Sequence, residues 1–149
     1  MSVKDDVALL KQIPLFAKVD ESRLNVLAFS TERISVREGD VLYKNGQPGA
    51  AAFVIVDGEI GIRRLNKPDE VPEIIAGPGS LIGEQSMFAG VPYRGTATAL
   101  ATVVVLKISK DLFYRVAEEF PDLAIEAIQA VNEKLDATLA DLRLVQRDL

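Results

Sequence analysis

Residues 53–62, with the sequence FVIVDGEIGI, decide the fold class of this chain. Phenylalanine, valine and isoleucine favour strands, because aromatic and β-branched side chains pack well on a pleated surface. Asp57-Gly58 interrupts the apolar run, and Asp-Gly is a dipeptide that favours the positive φ angles of a two-residue hairpin turn. Ile60 and Ile62 then resume at the spacing of a strand with one buried face. We therefore predict a β-hairpin that turns at Asp57-Gly58.

The same pattern of short strands and glycine-containing turns extends over residues 31–108. Further turns are predicted at Glu38-Gly39-Asp40, Asn45-Gly46 and Gly77-Pro78-Gly79. Residues 71–76 and the Thr- and Val-rich residues 96–107 each predict a strand. Many short strands at this spacing are typical of a barrel or a sandwich.

Helical patterns flank this β-rich region on both sides. In residues 1–30, apolar residues recur at helical spacing, Pro14 interrupts the pattern, and Asp20 or Ser22 is a candidate N-cap for a second short helix. In residues 109–149, Ser109 is a candidate N-cap followed by helical periodicity. We predict one mainly β domain over residues 1–149, a β-roll or jelly-roll barrel with N-terminal helices and a long C-terminal helix.

Composition narrows the classes of function that this chain can serve. It has 149 residues, no cysteine, no histidine and a formal net charge of −5. Thiolate and imidazole metal sites, disulfides and the usual Ser-His-Asp chemistry are therefore excluded, which argues against an enzyme. The acidic balance argues against broad nucleic-acid binding, which needs a basic face. No apolar run approaches the roughly 20 residues that cross a membrane, so we expect a cytoplasmic protein.

Residues 79–96, GSLIGEQSMFAGVPYRGT, resemble neither a strand nor an ordinary turn. We call them the 79–96 segment. Glu84 and Arg94 lie ten positions apart in it, around a short predicted helical turn over residues 84–88 that begins at Gly83. A guanidinium offers a planar set of donors to phosphate oxygens, and a carboxylate accepts hydrogen bonds from a sugar hydroxyl. This combination points to a nucleotide with a free ribose hydroxyl.

The 79–96 segment resembles the phosphate-binding cassette of the cyclic nucleotide-binding domain family. That pattern is Gly-Glu, a few mostly apolar residues, then Arg followed by small residues. The resemblance implies that Glu84 binds the ribose 2′-hydroxyl and that Arg94, held inside the roll, binds the cyclic phosphate. Two departures are Gly95, where the family commonly has Ser, Thr or Ala, and Gln85, where an apolar residue is usual. The implied ligand-binding set is Gly83, Glu84, Gln85, Ser86, Arg94, Gly95, Thr96 and Thr138.

Plainer interpretations of these residues remain open at this stage. Glu84 and Arg94 could pair with each other on the surface, and the glycines could serve turns alone. Thr138, which the resemblance assigns to the adenine base, could instead bond back to a carbonyl one helical turn earlier.

The end of the chain carries an apolar stripe at helical spacing. Its members are Ile128, Val131, Leu135, Thr138, Leu142, Val145 and Leu149. A seam of this kind predicts a two-helix coiled coil and hence a homodimer, the alternative being that the stripe packs on the chain's own β-roll.

The resemblance implies a sensor that binds cyclic AMP, or less readily cyclic GMP, and moves its C-terminal helices in response. The alternative is a structural or dimerisation module with the same fold and a pocket that binds nothing. In either case no cofactor, membrane contact or nucleic-acid contact by this chain is expected.

Overall fold

The computed structural model describes residues 3–17, 19–63, 74–119, 121 and 125. The helices are α1 (Val3–Lys11), a 3₁₀ turn (Pro14–Phe16), α2 (Glu21–Ser30), α3 (Glu84–Ala89) and α4 (Lys110–Glu119). The strands are β1 (Glu32–Val36), β2 (Val41–Tyr43), β3 (Ala51–Asp57), β4 (Ile60–Arg63), β5 (Ile74–Ala76), β6 (Leu81–Ile82), β7 (Thr96–Ala99) and β8 (Val103–Ser109). None of the helices within these ranges is long and apolar enough to span a membrane.

The strands form two four-stranded sheets, with the orders β1-β8-β3-β6 and β2-β7-β4-β5. Every strand pair is antiparallel. The predicted fold class, mainly β with flanking helices, is therefore confirmed. The predicted long C-terminal helix and its apolar stripe, residues 128–149, lie outside the described residues.

The prediction of a hairpin at Asp57-Gly58 is wrong. β3 pairs with β8 and β6, whereas β4 pairs with β7 and β5, so the dipeptide connects the two sheets. Gly58 does adopt a positive φ of 86°. A Cβ atom at Gly58 would lie 2.6 Å from the carbonyl oxygen of Thr102, so the chain passes close to the turn between β7 and β8. Local turn chemistry predicted the φ angle correctly, but long-range packing decides which strands pair.

The prediction of one strand over residues 96–107 is also wrong, because the chain turns at residues 100–102 between β7 and β8. β7 belongs to one sheet and β8 to the other. No glycine or proline marks this turn in the sequence, so β propensity alone could not locate it. Of the strand predicted over residues 71–76, residues 74–76 form β5 and the others lie outside the described residues.

The predicted helix starts are confirmed. The Asp20 side chain accepts a hydrogen bond of 2.9 Å from the Arg23 backbone N–H, which makes Asp20 the N-cap of α2. The Ser109 hydroxyl accepts one of 3.1 Å from the Leu112 N–H at the start of α4. Both contacts satisfy a backbone donor that a helix leaves without an internal partner.

Strands β3 and β8 are buried on both faces and separate two apolar clusters. We call the first the helix-side core. It contains Val7, Leu10, Ile13, Leu15, Phe16, Leu24, Leu27, Ala28, Ala52, Val54, Met87, Leu106, Ile108, Leu112, Phe113, Val116 and Ala117. We call the second the roll interior. It contains Val36, Tyr43, Ala51, Phe53, Ile55, Ile60, Ala76, Ile82, Tyr93, Ala97, Ala99, Val103 and Val105. Alternate residues of each strand point to opposite faces, which explains how one strand serves both clusters.

Candidate functional site

The short helix predicted in the 79–96 segment is present as α3, which begins at Glu84 directly after Gly83. Gly83 has a φ of 79°, in the left-handed region. A Cβ atom there would lie 3.2 Å from both the Ala51 carbonyl oxygen and the Tyr93 ring. Glycine is therefore favoured at this position by its backbone conformation, and a side chain there would also be tightly packed. The last turn of α3 ends at Gly90, whose N–H donates to the Ser86 carbonyl.

Glu84 and Ser86 are the buried polar residues of this helix, with 7% and 8% of their surface exposed. Removing a carboxylate from water costs free energy unless the group is paired or hydrogen-bonded. Glu84 already takes part in a hydrogen bond, an ion pair or another electrostatic interaction. A ligand hydroxyl at this point would therefore share the carboxylate, which can accept up to about four hydrogen bonds.

Gly49, which the sequence analysis did not single out, lets the chain before β3 approach α3 closely. A Cβ atom at Gly49 would lie 2.8 Å from the Ser86 Cβ and 2.6 Å from the Val91 carbonyl oxygen. Nearby, the Tyr93 N–H donates to the Gln47 carbonyl at 2.9 Å. The loop before β3 thus contacts the middle of α3 and the chain that follows it. Pro48-Gly49 was its signal in the sequence.

Tyr93 is the functional-site residue that the sequence analysis missed. It is 6% exposed, and its hydroxyl donates to the Ala51 carbonyl at 2.6 Å and accepts from the Ala51 N–H at 3.2 Å. Its ring stacks on that of Tyr43, with centroids 4.0 Å apart and planes 20° apart. We call the Tyr93 side chain with its two hydrogen bonds to Ala51 the Tyr93 anchor. Nothing in the sequence distinguished this tyrosine from an ordinary turn residue.

Burial changes the acid–base behaviour of both tyrosines. Desolvation, together with the neighbouring Tyr93, raises the pKa of Tyr43 from 10.0 to about 12. Desolvation also raises the pKa of Tyr93, and its hydrogen bond to the Ala51 backbone opposes that rise. Both hydroxyls therefore stay protonated at neutral pH.

Arg94 is exposed, so the prediction that its guanidinium is enclosed by the roll is wrong. Its neighbours Tyr93 and Gly95 are both buried, and Arg94 and Gly95 form a bend directly before β7. Among the described residues the Arg94 side chain makes no hydrogen bond or ion pair, which also excludes the surface pair with Glu84.

Three of the remaining residues of the predicted site are described, and each has a different environment. A Cβ atom at Gly95 would lie 2.9 Å from the Arg63 carbonyl oxygen of β4, so close packing explains the glycine. The Thr96 hydroxyl accepts from the Asn45 N–H at 3.1 Å. Gln85 is exposed, so a polar side chain there avoids desolvation. Thr138 lies outside the described residues.

Comparisons with known proteins agree with this architecture. A family model described as the cyclic nucleotide-binding domain matches residues 33–120. A CRP-like cAMP-activated global transcriptional regulator of Mycobacterium tuberculosis is 24% identical over 139 residues, covering 90% of this chain and 62% of that protein. A cyclic nucleotide-gated potassium channel of Mesorhizobium japonicum is 28% identical over 116 residues, covering 78% of this chain and 31% of the channel. The chain thus spans about three-fifths of the length of the regulator and about a third of the length of the channel.

Solved structures are similar over most of the chain. The N-terminal domain of a transcriptional regulator from Streptomyces coelicolor is 30% identical with a TM-score of 0.76, covering 87% of this chain and 94% of that one. The catabolite activator protein of Thermus thermophilus is 19% identical with a TM-score of 0.79, covering 89% of this chain and 63% of that one, and shares the fold. Since the family model covers more than half of its residues, this chain belongs to the cyclic nucleotide-binding domain family.

Proposed function

We propose that this chain is a regulatory sensor domain that binds a cyclic nucleotide, cyclic AMP in preference to cyclic GMP. Membership of the family supports the ligand class. The preference for cyclic AMP is supported by the name of the M. tuberculosis relative, a cAMP-activated regulator. We further propose that the protein is cytoplasmic and has no catalytic activity. In this proposal the chain contacts neither a membrane nor nucleic acid.

The observation that carries the proposal is the buried carboxylate of Glu84 at the first position of α3. The helix is bounded by two glycines with positive φ, Gly83 and Gly90, which close it into a compact turn. In the proposed complex the carboxylate accepts a hydrogen bond from the ribose 2′-hydroxyl. A charged acceptor makes a stronger hydrogen bond than a neutral one, especially where water is partly excluded.

Arg94 is the proposed contact for the cyclic phosphate, from the other end of the same turn. Arg94 has no hydrogen bond or ion pair among the described residues, and a guanidinium can form two parallel hydrogen bonds to phosphate oxygens. The proposed site further includes Gly83, Gln85, Ser86, Gly95 and Thr96. Thr138 is the proposed contact for the adenine base.

Contacts between α3 and α4 support the proposed coupling to the C-terminal helices. The Phe88 ring of α3 lies 4.8 Å from the Phe113 ring of α4, centroid to centroid, and Met87 is buried in the same helix-side core. A shift of α3 on ligand binding would therefore reach α4 directly. The apolar stripe over residues 128–149 is the proposed surface for homodimer formation.

Calorimetric titration with cyclic AMP and cyclic GMP tests the ligand. We expect both to bind, with cyclic AMP binding more tightly. Glu84→Gln keeps the shape of the side chain but removes its charge, and is expected to weaken cyclic AMP binding by about tenfold. The same variant is expected to bind 2′-deoxy cyclic AMP as the parent does, since the partner hydroxyl is gone. No heat of binding with either nucleotide at millimolar concentration would reject the proposal.

One observation favours a second function, a dimerisation module whose pocket binds no nucleotide. The inward position at the end of the 79–96 segment is held by Tyr93, and Arg94 is exposed. Gel filtration separates the two functions when it is run beside the titration. A silent module stays dimeric and gives no heat with either nucleotide.

A further inference from the structure

Lys110, the half-buried first residue of α4, joins that helix to two other parts of the chain. Its backbone N–H donates to the Ala50 carbonyl at 2.8 Å, directly before β3. Its Nζ atom lies 3.7 Å from the point where a Cβ atom at Gly90 would stand, so the ammonium sits beside the end of α3. The same Nζ atom lies 5.8 Å from the centroid of the Tyr114 ring, within reach of a cation–π contact. One residue therefore connects the start of β3, the end of α3 and the first turns of α4.

The charge of Lys110 has the wrong sign for its own helix. The first turn of a helix carries partial positive charge and the last turn partial negative charge. A lysine is therefore unfavourable at the start of α4 and favourable at the end of α3. Lysine side chains near the end of a helix can also donate hydrogen bonds to its last carbonyl groups. The charge at position 110 is thus explained by its contact with α3 and not by α4.

α3 joins this contact to the candidate site. Glu84, the proposed acceptor for the ribose hydroxyl, is the first residue of α3, and Gly90 follows the last. α3 has six residues, which is less than two helical turns, so a displacement of its first turn also displaces its last. Lys110 therefore lies at the point where a movement of α3 reaches α4.

We propose that Lys110 is a positioning residue, which transmits a shift of α3 to the start of α4 when a nucleotide binds at Glu84. The inference rests on the proposed function for its ligand. The rings of Phe88 and Phe113 join the same two helices, but apolar packing is non-directional. A charge beside a helix end favours one arrangement of the two helices, and Lys110 supplies it where α4 leaves β8.

Amide hydrogen exchange of the full chain, with and without saturating cyclic AMP, tests this role. In the parent, the nucleotide should change exchange both in α3 and at residues 111–116 of α4. Lys110→Met keeps an unbranched side chain of similar length and removes the charge. We expect this variant to keep the change in α3 and to lose about half or more of the change in α4. A merely structural role would lower the melting temperature without altering the ratio of the two changes.

Two further variants make the test specific for the charge at position 110. Lys110→Arg keeps the charge and should transmit the change as the parent does. Arg115→Met is the matched control, since it removes a positive charge from an exposed position on the same helix. It should also behave as the parent does.

The protein without nucleotide gives a second measurement. The N–H groups of Gly90 and Val91 both donate to the Ser86 carbonyl at the end of α3. In Lys110→Met their exchange should become faster by about 2- to 5-fold, the range for one charge at a helix end. Lys110→Arg and Arg115→Met should leave it unchanged.

The outcomes are distinct for the two proposals. A parent that binds cyclic AMP without any change in α4, or a Lys110→Met variant that transmits the full change, overturns the role of Lys110. Unchanged exchange at Gly90 and Val91 in nucleotide-free Lys110→Met overturns it as well. Faster exchange there, with no nucleotide binding by any variant, supports the contact between Lys110 and α3 and rejects the proposed nucleotide ligand instead.

Discussion

The helix-side core and the roll interior lie on opposite faces of the same two strands, β3 and β8, but they are built differently. Every buried member of the helix-side core has a side chain without oxygen or nitrogen. The roll interior includes two stacked tyrosines, one of which is hydrogen-bonded to the backbone. Apolar packing stabilises in proportion to the area buried, whereas hydrogen bonds in a buried site specify one arrangement of the chain. We infer that the helix-side core stabilises the fold and the roll interior positions the 79–96 segment.

The largest expected effect is on the stability of the helix-side core. Leu24 is 0% exposed, and Leu24→Ala should lower the free energy of unfolding by about 2–5 kcal/mol because it leaves a cavity. Urea denaturation measures this change. Val26→Ala, at a position on the same helix that is 44% exposed, is the control and should stay within about 1 kcal/mol of the parent. Equal losses in the two variants would contradict the division between core and surface.

Alkaline pH should lower the stability of the fold through the roll interior, where Tyr43 lies. The pKa of Tyr43 is about 12 in the folded chain against 10.0 for an ordinary tyrosine. The unfolded chain therefore loses this proton first, so the stabilisation is present below pH 10 and is lost as pH rises from 10 to 12. The loss should be roughly 2–3 kcal/mol, measured by urea denaturation across that range. Over the same pH range, the stability of Tyr43→Phe should fall by about that amount less than the stability of the parent. Equal losses of stability in the two proteins would contradict the assignment of this effect to Tyr43.

Arg94→Ala tests the exposed end of the proposed site. It should weaken cyclic AMP binding by about 10- to 100-fold, the range for losing hydrogen bonds to a charged group, and should leave stability unchanged. Calorimetry gives the affinity and thermal melting the stability. Arg115→Ala, another exposed arginine, lies on α4 and serves as the control. Similar affinities for the two variants would remove Arg94 from the site.

The smallest expected effect is at the start of α2, which packs its buried face into the helix-side core. Asp20→Ala removes the side chain that accepts from the Arg23 N–H and should cost about 1 kcal/mol of stability. Ser22→Ala is the control, since Ser22 was the other candidate N-cap and lies one residue inside the helix. A larger loss for Ser22→Ala would mean that the capping assignment is wrong.

Features that depend on a few neighbouring residues could be predicted from the sequence. The caps at Asp20 and Ser109 and the short helix after Gly83 each follow from the chemistry of a single turn. The mainly β class follows from side-chain propensities summed over many strands. The caps and the short helix could be predicted because the interactions involved span only three or four positions in the chain.

The sequence by itself determined the β-rich class, the helix starts and the segment that carries the candidate site. Only the tertiary structure decided that Asp57-Gly58 connects two sheets and that Tyr93, not Arg94, faces inward. Tyr93 and Arg94 are adjacent and precede β7, so the alternation of side chains along a strand does not decide which of them is buried. The Ala51 backbone, to which the buried Tyr93 hydroxyl is hydrogen-bonded, is 42 positions away, and no local pattern carries that information.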